Sequence, residues 1–196
     1  MPSPLGHVIA GVAAGWLVAG APRLAPPLST KVAGTFPAQV PATFWREAGL
    51  FGALGALPDI DLLFGAHSGP THSIGITLVV GIVAGLVRGV TARRPPATGL
   101  RSLTFALACL AAYGSHVLLD WLGTDASPPI GIMALWPLSN AHYESDLHFF
   151  MAISRRYYQG WAFVRHNAIA LVRELVILLP LLTMIILFRS RSEPRR

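Results

Sequence analysis

Charged side chains are scarce in this chain of 196 residues. Asp, Glu, Lys and Arg make up 12% of it, whereas soluble domains contain about 25%. Hydrophobic residues make up 53%, a composition that excludes an ordinary soluble domain and predicts an integral membrane protein. The length is sufficient for one domain, and we expect residues 1–196 to form a single membrane-embedded unit.

Cysteine is almost absent, because Cys109 is the only one. A single cysteine excludes an intramolecular disulfide framework, and its apolar surroundings indicate an inert packing residue. The chain also lacks a basic N-terminal stretch followed by an A-x-A cleavage site, so we expect no removable signal peptide.

Acidic residues are scarcer than basic ones. The chain has 9 Asp and Glu and 15 Lys and Arg, which gives a net charge of +6. No module that combines aromatic and basic residues accompanies this charge, so we expect no nucleic-acid partner. Arginines that flank apolar segments explain the charge better. The pattern therefore predicts membrane lipid as a partner and leaves the oligomeric state open.

Apolar stretches close to the ~20 residues of a membrane-spanning helix recur along the chain. They cover residues 5–21, 44–64, 73–90, 103–122 and 175–188. The sequence thus predicts an all-α fold, a polytopic membrane helical bundle with about five transmembrane helices. Residues 124–173 are predicted to form an extracytoplasmic segment that caps the bundle.

Basic residues set the predicted orientation. Most of them lie in or beside the first and third connections and in the C-terminal tail, for example Arg46, Arg94 and Arg196. The positive-inside rule then places the N-terminus outside and the C-terminus in the cytoplasm. We expect a multi-pass protein of the bacterial inner membrane.

Ionisable residues interrupt the apolar stretches near their predicted outer ends. They are His7, Asp59, Asp61, His72, His116 and Asp120. A charge at membrane depth costs at least ~2.5–3.5 kcal/mol, so such groups tend to be paired, ligated or directed into a wet cavity. Helices of alternating direction would bring all six to one level on the periplasmic side. Imidazole and carboxylate ligands suit zinc, manganese or iron, so we expect a divalent-metal site, with zinc preferred and one to three ions.

Each of these motifs also has a local explanation. His116 and Asp120 share one helix face through their i, i+4 spacing, which also occurs in surface pairs. Pro58-Asp59-Ile60-Asp61 is a helix-terminating turn whose carboxylates suit either a cation or a cap. His72 is predicted at a helix N-terminus, where the dipole favours a neutral imidazole.

A second group of candidates lies outside the apolar stretches. His142 and Asp146 repeat the i, i+4 spacing and are either further metal ligands or part of a solvated loop. His67 is either a substrate contact or a loop residue. Arg155 and Arg156 could contact lipid or substrate phosphates, or simply be solvated.

An ordered set of motifs extends over about residues 5–138. It consists of Gly6-His7, Pro58-Asp59-Ile60-Asp61, His67-x-Gly69-x-Thr71-His72-Ser73, Ser115-His116-x3-Asp120, Pro129-x-Gly131 and Trp136-Pro137. In this order the chain resembles the YdjM family, described as inner-membrane-bound, metal-dependent hydrolases. Ser68 stands where that family usually has Arg.

The same order of ligands is more distantly similar to that of zinc-dependent phospholipase C and the P1-type nucleases, which are helical proteins with a trinuclear zinc site. That resemblance implies Asp59 as base and ligand, Asp120 as a bridge between metals, His72 and His116 on a first metal, His7 on another, and His142 and Asp146 as a remaining ligand pair. The N-terminal tryptophan amine of those enzymes has no counterpart in Met1-Pro2-Ser3-Pro4.

The expected function is metal-dependent hydrolysis of a phosphoester in a lipid, a lipid-linked substrate or a small molecule, with Asp59 as the catalytic base. One alternative is a metal-binding membrane carrier, because intramembrane His and Asp also mark ion pathways. A pathway should continue across the bilayer, where the sequence offers mainly Thr77 and Thr104. Another alternative is a non-catalytic membrane protein with a structural metal.

Overall fold

The computed structural model describes residues 1–22, 40–65, 68–91, 100–126 and 128–191. Within these ranges the chain is mainly helical, which confirms the predicted helical architecture. The α-helices are α1 (Pro4–Ala19), α2 (Ala42–Ala56), α3 (Ile74–Thr91), α4 (Leu100–Trp121) and α5 (Trp161–Arg189). Shorter 3₁₀ helices cover Leu57–Phe64, Pro70–His72 and Tyr157–Gln159. Two short strands, β1 (Ala21–Pro22) and β2 (Ser190–Arg191), pair in parallel.

Ser3 and Pro4 determine where α1 begins. The Ser3 hydroxyl accepts a hydrogen bond from the amide of Gly6 at 3.0 Å, which satisfies one of the free donors at a helix N-terminus. Pro4 occupies a first-turn position, where its missing N–H has no cost. The helix ends at Gly20, whose φ of 81° is easily adopted only by glycine.

The α-helical part of the second apolar stretch is shorter than predicted. The prediction covered residues 44–64, but α2 ends at Ala56 and the chain continues as a 3₁₀ helix over Leu57–Phe64. Pro58 explains the change, since it lacks the N–H that an α-helix would use and its ring disfavours the preceding turn. The tighter helix carries Asp59 and Asp61.

The last helix begins earlier than predicted, at Trp161 instead of residue 175. Polar residues in the first half of α5 interrupt the apolar pattern of the sequence, but two of them form hydrogen bonds in the structure. Asn167 exchanges two hydrogen bonds with the backbone of Ser154, at 2.8 and 3.0 Å, and Glu174 bonds to Ser3. Residues 161–173 of the predicted cap are therefore helical and continuous with the rest of α5, and the extracytoplasmic position of residues 124–173 stays a prediction.

Three of the helices, α3, α4 and α5, are long and apolar enough to cross a membrane. α1 has 16 residues and α2 has 15, slightly below the ~17 that a spanning helix usually needs. Crossing by all five helices and the orientation of the termini stay predictions.

α1 is central to the helical packing and contacts α2, α4 and α5, while α3 packs on α4. The backbones of α1 and α2 approach closely at Gly11 and Gly55, where a Cβ added to either glycine would lie 2.9 Å from the Cα of the other. Small residues permit such close crossings between membrane helices. This crossing holds the end of α2 beside His7.

The segment between α4 and α5 lies across one end of the helices. Its backbone forms hydrogen bonds with Met1, Ser68, Ile74 and Trp121. These partners lie at the start of α1, before and at the start of α3, and at the end of α4. All of them belong to the end of the bundle that carries the predicted His and Asp residues.

Candidate metal centre

Four parts of the fold contribute the predicted ionisable residues to one cluster. His7 comes from the first turns of α1, and Asp59 and Asp61 come from the 3₁₀ helix after α2. His72 ends the 3₁₀ helix before α3. His116 and Asp120 lie in the last turns of α4. The structure therefore brings together all six residues that the sequence places at one level.

The central feature is a group of four ligand atoms. Oδ2 of Asp120 lies 3.4 Å from Nε2 of His72 and 3.1 Å from Nε2 of His116. Oδ1 of Asp59 lies 3.7 Å from each of the same two nitrogens. A tetrahedral zinc ion with bonds of ~2.0–2.1 Å has ligand-to-ligand separations of about 3.3–3.4 Å. These four nitrogen-to-oxygen separations are within a few tenths of an ångström of that value, so the atoms converge closely enough to contact one cation.

His7 contacts the other oxygen of Asp120. Its Nε2 lies 3.3 Å from Oδ1 of Asp120, and its ring stacks on that of His116 with centroids 3.7 Å apart. The two oxygens of Asp120 thus face different imidazoles. His7, Asp59 and His116 form a further group whose ligand atoms all lie within 4.8 Å of one another, so the cluster has room for more than one arrangement of ligands.

Backbone and side-chain contacts orient the two central imidazoles. Nδ1 of His116 lies 2.7 Å from the carbonyl oxygen of Gly55, which can only accept, so Nδ1 carries the proton and Nε2 offers a lone pair to the cluster. Nδ1 of His72 lies 3.0 Å from Oγ1 of Thr71 and 3.3 Å from Oδ2 of Asp61. Asp61 therefore contacts the outer nitrogen of His72, and it also belongs to a ligand group with Asp59 and His72.

Burial limits access to the cluster to one side. The side chains of His7, His72, His116 and Asp120 are 0–1% exposed, whereas that of Asp59 is 19% exposed. Among the described residues, no hydrogen bond reaches Nε2 of His116 or either carboxylate oxygen of Asp120. Buried polar atoms of this kind are costly unless a partner or an ion satisfies them. The arrangement therefore fits a cation-binding site that opens at Asp59.

Electrostatics hold a proton on His72 when no metal is bound, so the neutral imidazole expected from the helix dipole is wrong for the metal-free protein. Burial disfavours the charged imidazole, but the nearby carboxylates of Asp59 and Asp61 and the negative charge of Asp120 outweigh that effect and raise the pKa of His72 to about 9. A cation that binds Nε2 at neutral pH must displace this proton.

Two residues of the second predicted group, His142 and Asp146, belong to none of the groups that could hold a metal among the described residues. Every such group found there is drawn from the six clustered residues. Asp146, Arg155 and Arg156 are exposed on the segment between α4 and α5. The substrate role of the two arginines stays a prediction. His67 lies outside the described residues.

Three groups that support the cluster were missed by sequence reasoning. The Gly55 carbonyl orients His116, and the Tyr113 hydroxyl donates to the carbonyl of Thr71 at 2.7 Å, beside His72. Glu174 holds the start of α1. Of these three groups, only Glu174 had a sequence signal, because it is an acidic residue beside an apolar run. It was missed because the predicted apolar stretch began at residue 175, directly after it.

Comparison with known proteins identifies the family. No curated protein and no solved structure matches the chain significantly, so the distant likeness to phospholipase C and P1-type nucleases stays an interpretation. The family model described as "YdjM inner membrane protein" matches residues 1–192. Since this match covers almost the whole chain, the protein belongs to the YdjM family of inner membrane proteins.

Proposed function

We propose that this protein is a membrane-bound, metal-dependent hydrolase that cleaves a phosphoester of a lipid or lipid-linked substrate. The observation that carries the proposal is the convergence of three buried ligands, His72, His116 and Asp120, whose ligand atoms all lie within 4.8 Å of one another, beside the more exposed carboxylate of Asp59. Two imidazoles with carboxylates form a ligand set that zinc favours. The further His7 contact leaves room for more than one ion.

The roles of the residues follow from their exposure and contacts. A divalent cation held here would supply Lewis-acid chemistry and an activated water. His72, His116 and Asp120 would hold the ion, because their side chains are buried and their ligand atoms converge. Asp59 is the most accessible member of the four and lies at the opening, so it receives the proton of the attacking water. The water oxygen would bond to phosphorus as the ester P–O bond breaks, and the proton on Asp59 would pass to the departing alkoxide oxygen, which leaves as the alcohol.

The surface beside Asp59 supports a lipid-borne substrate. On the same 3₁₀ helix, Ile60 is 46% exposed, Leu63 80% and Phe64 82%. Exposed apolar side chains of this size beside an opening are suited to contact with lipid acyl chains. Acyl chains could stay against this apolar surface while a phosphorylated headgroup reaches Asp59.

The structure offers less support for the carrier alternative. The hydroxyls of Thr77 and Thr104 donate to carbonyls of their own helices, at 2.8 and 2.9 Å. They therefore do not extend the polar cluster toward the other end of the bundle. A site at one end favours an enzyme over a pathway through the membrane.

Asp59→Asn separates an enzyme from a protein with a structural metal. The amide oxygen can still contact a cation but is a poor base, so we expect hydrolysis to fall by at least ~10²-fold while the purified protein keeps its metal. Activity is measured in detergent or liposomes on phospholipids, lipid diphosphates and nucleotides. Asp146→Asn, an exposed carboxylate outside the cluster, is the matched control and should retain full activity. Wild-type protein with full metal occupancy and no activity on this panel would contradict the proposal.

A further inference from the structure

Glu174 is a completely buried carboxylate in the apolar helix α5. It is not one of the clustered residues that could hold a metal. Because a buried acidic group at membrane depth is costly unless it is paired, its partners indicate what it does.

Both oxygens of Glu174 contact the residue that starts α1. Oε1 accepts a hydrogen bond from the Ser3 amide at 2.7 Å, and Oε2 accepts one from the Ser3 hydroxyl. A negative charge beside the first turn of a helix is also favoured by the helix dipole. Gly6 leaves the necessary space, since a Cβ there would lie 2.7 Å from Oε2.

Ser3 connects this carboxylate to His7. The Ser3 hydroxyl accepts from the Gly6 amide at 3.0 Å, and the Ser3 carbonyl accepts from the His7 amide at 3.1 Å. One turn of helix therefore separates the residue held by Glu174 from the imidazole that faces Asp120. A movement of Ser3 would move His7 with it.

We propose that Glu174 is a positioning residue, which fixes Ser3 and the start of α1 so that His7 keeps its place against Asp120 and His116. The effect on metal affinity rests on the proposed function, whereas the position of His7 can be measured without metal. Both are therefore tested.

The first test measures the position of His7 in metal-free protein. Diethylpyrocarbonate modifies accessible imidazoles, and His7 is 1% exposed, so mass spectrometry should find it protected in the wild type. In Glu174→Ala, loss of charge-assisted hydrogen bonds should speed its modification at least about tenfold. Glu174→Gln should restore protection, because its amide can accept from the Ser3 N–H and donate to the hydroxyl.

Leu178→Ala is the matched control for packing. Leu178 lies one turn further along α5 and packs in a buried cluster with Ala10 of α1, but it is not a partner of Ser3. His7 should stay protected in this variant. If Glu174→Ala does not fold, Ser3→Ala replaces it, since it removes the hydroxyl and keeps the amide. Unchanged protection of His7 in the variant that folds would overturn the proposal.

The second test measures Co²⁺ affinity from the absorption of the bound ion. Glu174→Ala should weaken Co²⁺ binding about 10–100-fold, the usual effect of losing a residue that orients a ligand. In a His7→Ala background it should cause no further loss, because both changes act through the same imidazole. If the wild type binds no Co²⁺ but Glu174→Ala exposes His7, the proposed function fails and the positioning role stands. If Glu174→Ala lowers Co²⁺ affinity as much in the His7→Ala background as in the wild type, the positioning role is contradicted.

Discussion

At the scale of single residues, the informative contact is the one between His116 and Asp120. Nδ1 of His116 donates to the Gly55 carbonyl, so Nε2 of a neutral ring has only a lone pair to present. It faces a carboxylate oxygen at 3.1 Å. Two acceptors at this distance repel each other unless a positive charge lies between them, either a proton or a metal ion. Nε2 of His72 lies 3.4 Å from the same oxygen of Asp120, and the proton on His72 is the one that a bound metal ion would displace.

The pH dependence of metal binding follows from His72. Its pKa is raised to about 9, so metal binding at pH 7 should release about one proton from this imidazole. Affinity should then rise about tenfold per pH unit up to pH ~9 and level off above it. Calorimetric titration with Zn²⁺ at pH 7, in buffers with different ionisation enthalpies, measures the released proton. A binding enthalpy that is the same in every buffer would contradict the predicted protonation.

The same shift predicts how the stability of metal-free protein depends on pH. The pKa of His72 is raised on folding from its ordinary value of 6.5 to about 9. The protonated imidazole therefore stabilises the folded state fully below pH 6.5, and this contribution is lost as pH rises to about 9. Thermal unfolding in EDTA should show a falling midpoint over that window, and His72→Gln should remove this part of the decrease.

At the scale of helices, the crossing of α1 and α2 connects packing to the site. Gly55 contacts the backbone of Gly11, and its carbonyl orients His116. A side chain at this crossing would separate the two helices. It would thereby disturb both His7 on α1 and the carbonyl that holds His116.

Two glycines on the same helix provide a matched pair. Gly55→Ala should destabilise the protein and lower its metal content, because the added methyl meets the backbone of α1. Among the residues that the structure describes, no atom lies within 4 Å of a Cβ added to Gly49, so Gly49→Ala should be neutral or stabilising by up to ~1 kcal/mol through helix propensity. Thermal unfolding in detergent and metal analysis compare the two. Equal changes in thermal stability and metal content for both substitutions would show that the close crossing of α1 and α2 does not support the site.

The limits of prediction at this scale have physical causes. Apolar periodicity identified α3 and α4 closely, because both helices are apolar over almost their whole length. It missed the start of α5, because Asn167 and Glu174 read as polar breaks until their partners at Ser154 and Ser3 were known. Pro58 indicated the end of α2, but the sequence could not show that a 3₁₀ helix would follow it.

At the scale of the whole molecule, the site lies at one end of the bundle. The clustered residues come from the start of α1, the end of α2 and the chain just after it, the chain before α3 and the end of α4. Alternating helix direction predicted this arrangement from the sequence alone. Which nitrogen of each imidazole faces the cluster, and which residues orient it, depends on contacts between distant segments, so the sequence could not supply it.

The orientation of the bundle is tested by reporter fusions. Basic residues around the opposite ends of the helices, such as Arg46, Arg88 and Arg189, predict that those ends face the cytoplasm. A C-terminal fusion should therefore be active with a fluorescent protein and inactive with alkaline phosphatase. Alkaline phosphatase inserted after the exposed Asn140 should be active. The reverse pattern would place the cluster on the cytoplasmic side.

Elemental analysis of the purified protein shows whether the buried imidazoles and carboxylates bind a divalent cation. We expect wild-type protein to keep at least about one zinc or similar ion per chain after dialysis, and His116→Ala to lose it, since a central ligand is removed. His166→Ala is the control, because His166 contacts the Ala152 carbonyl outside the cluster and should keep the ion. Wild-type protein without any bound metal, or a His116→Ala variant that binds as much metal as the wild type, would show that this cluster is not a metal site.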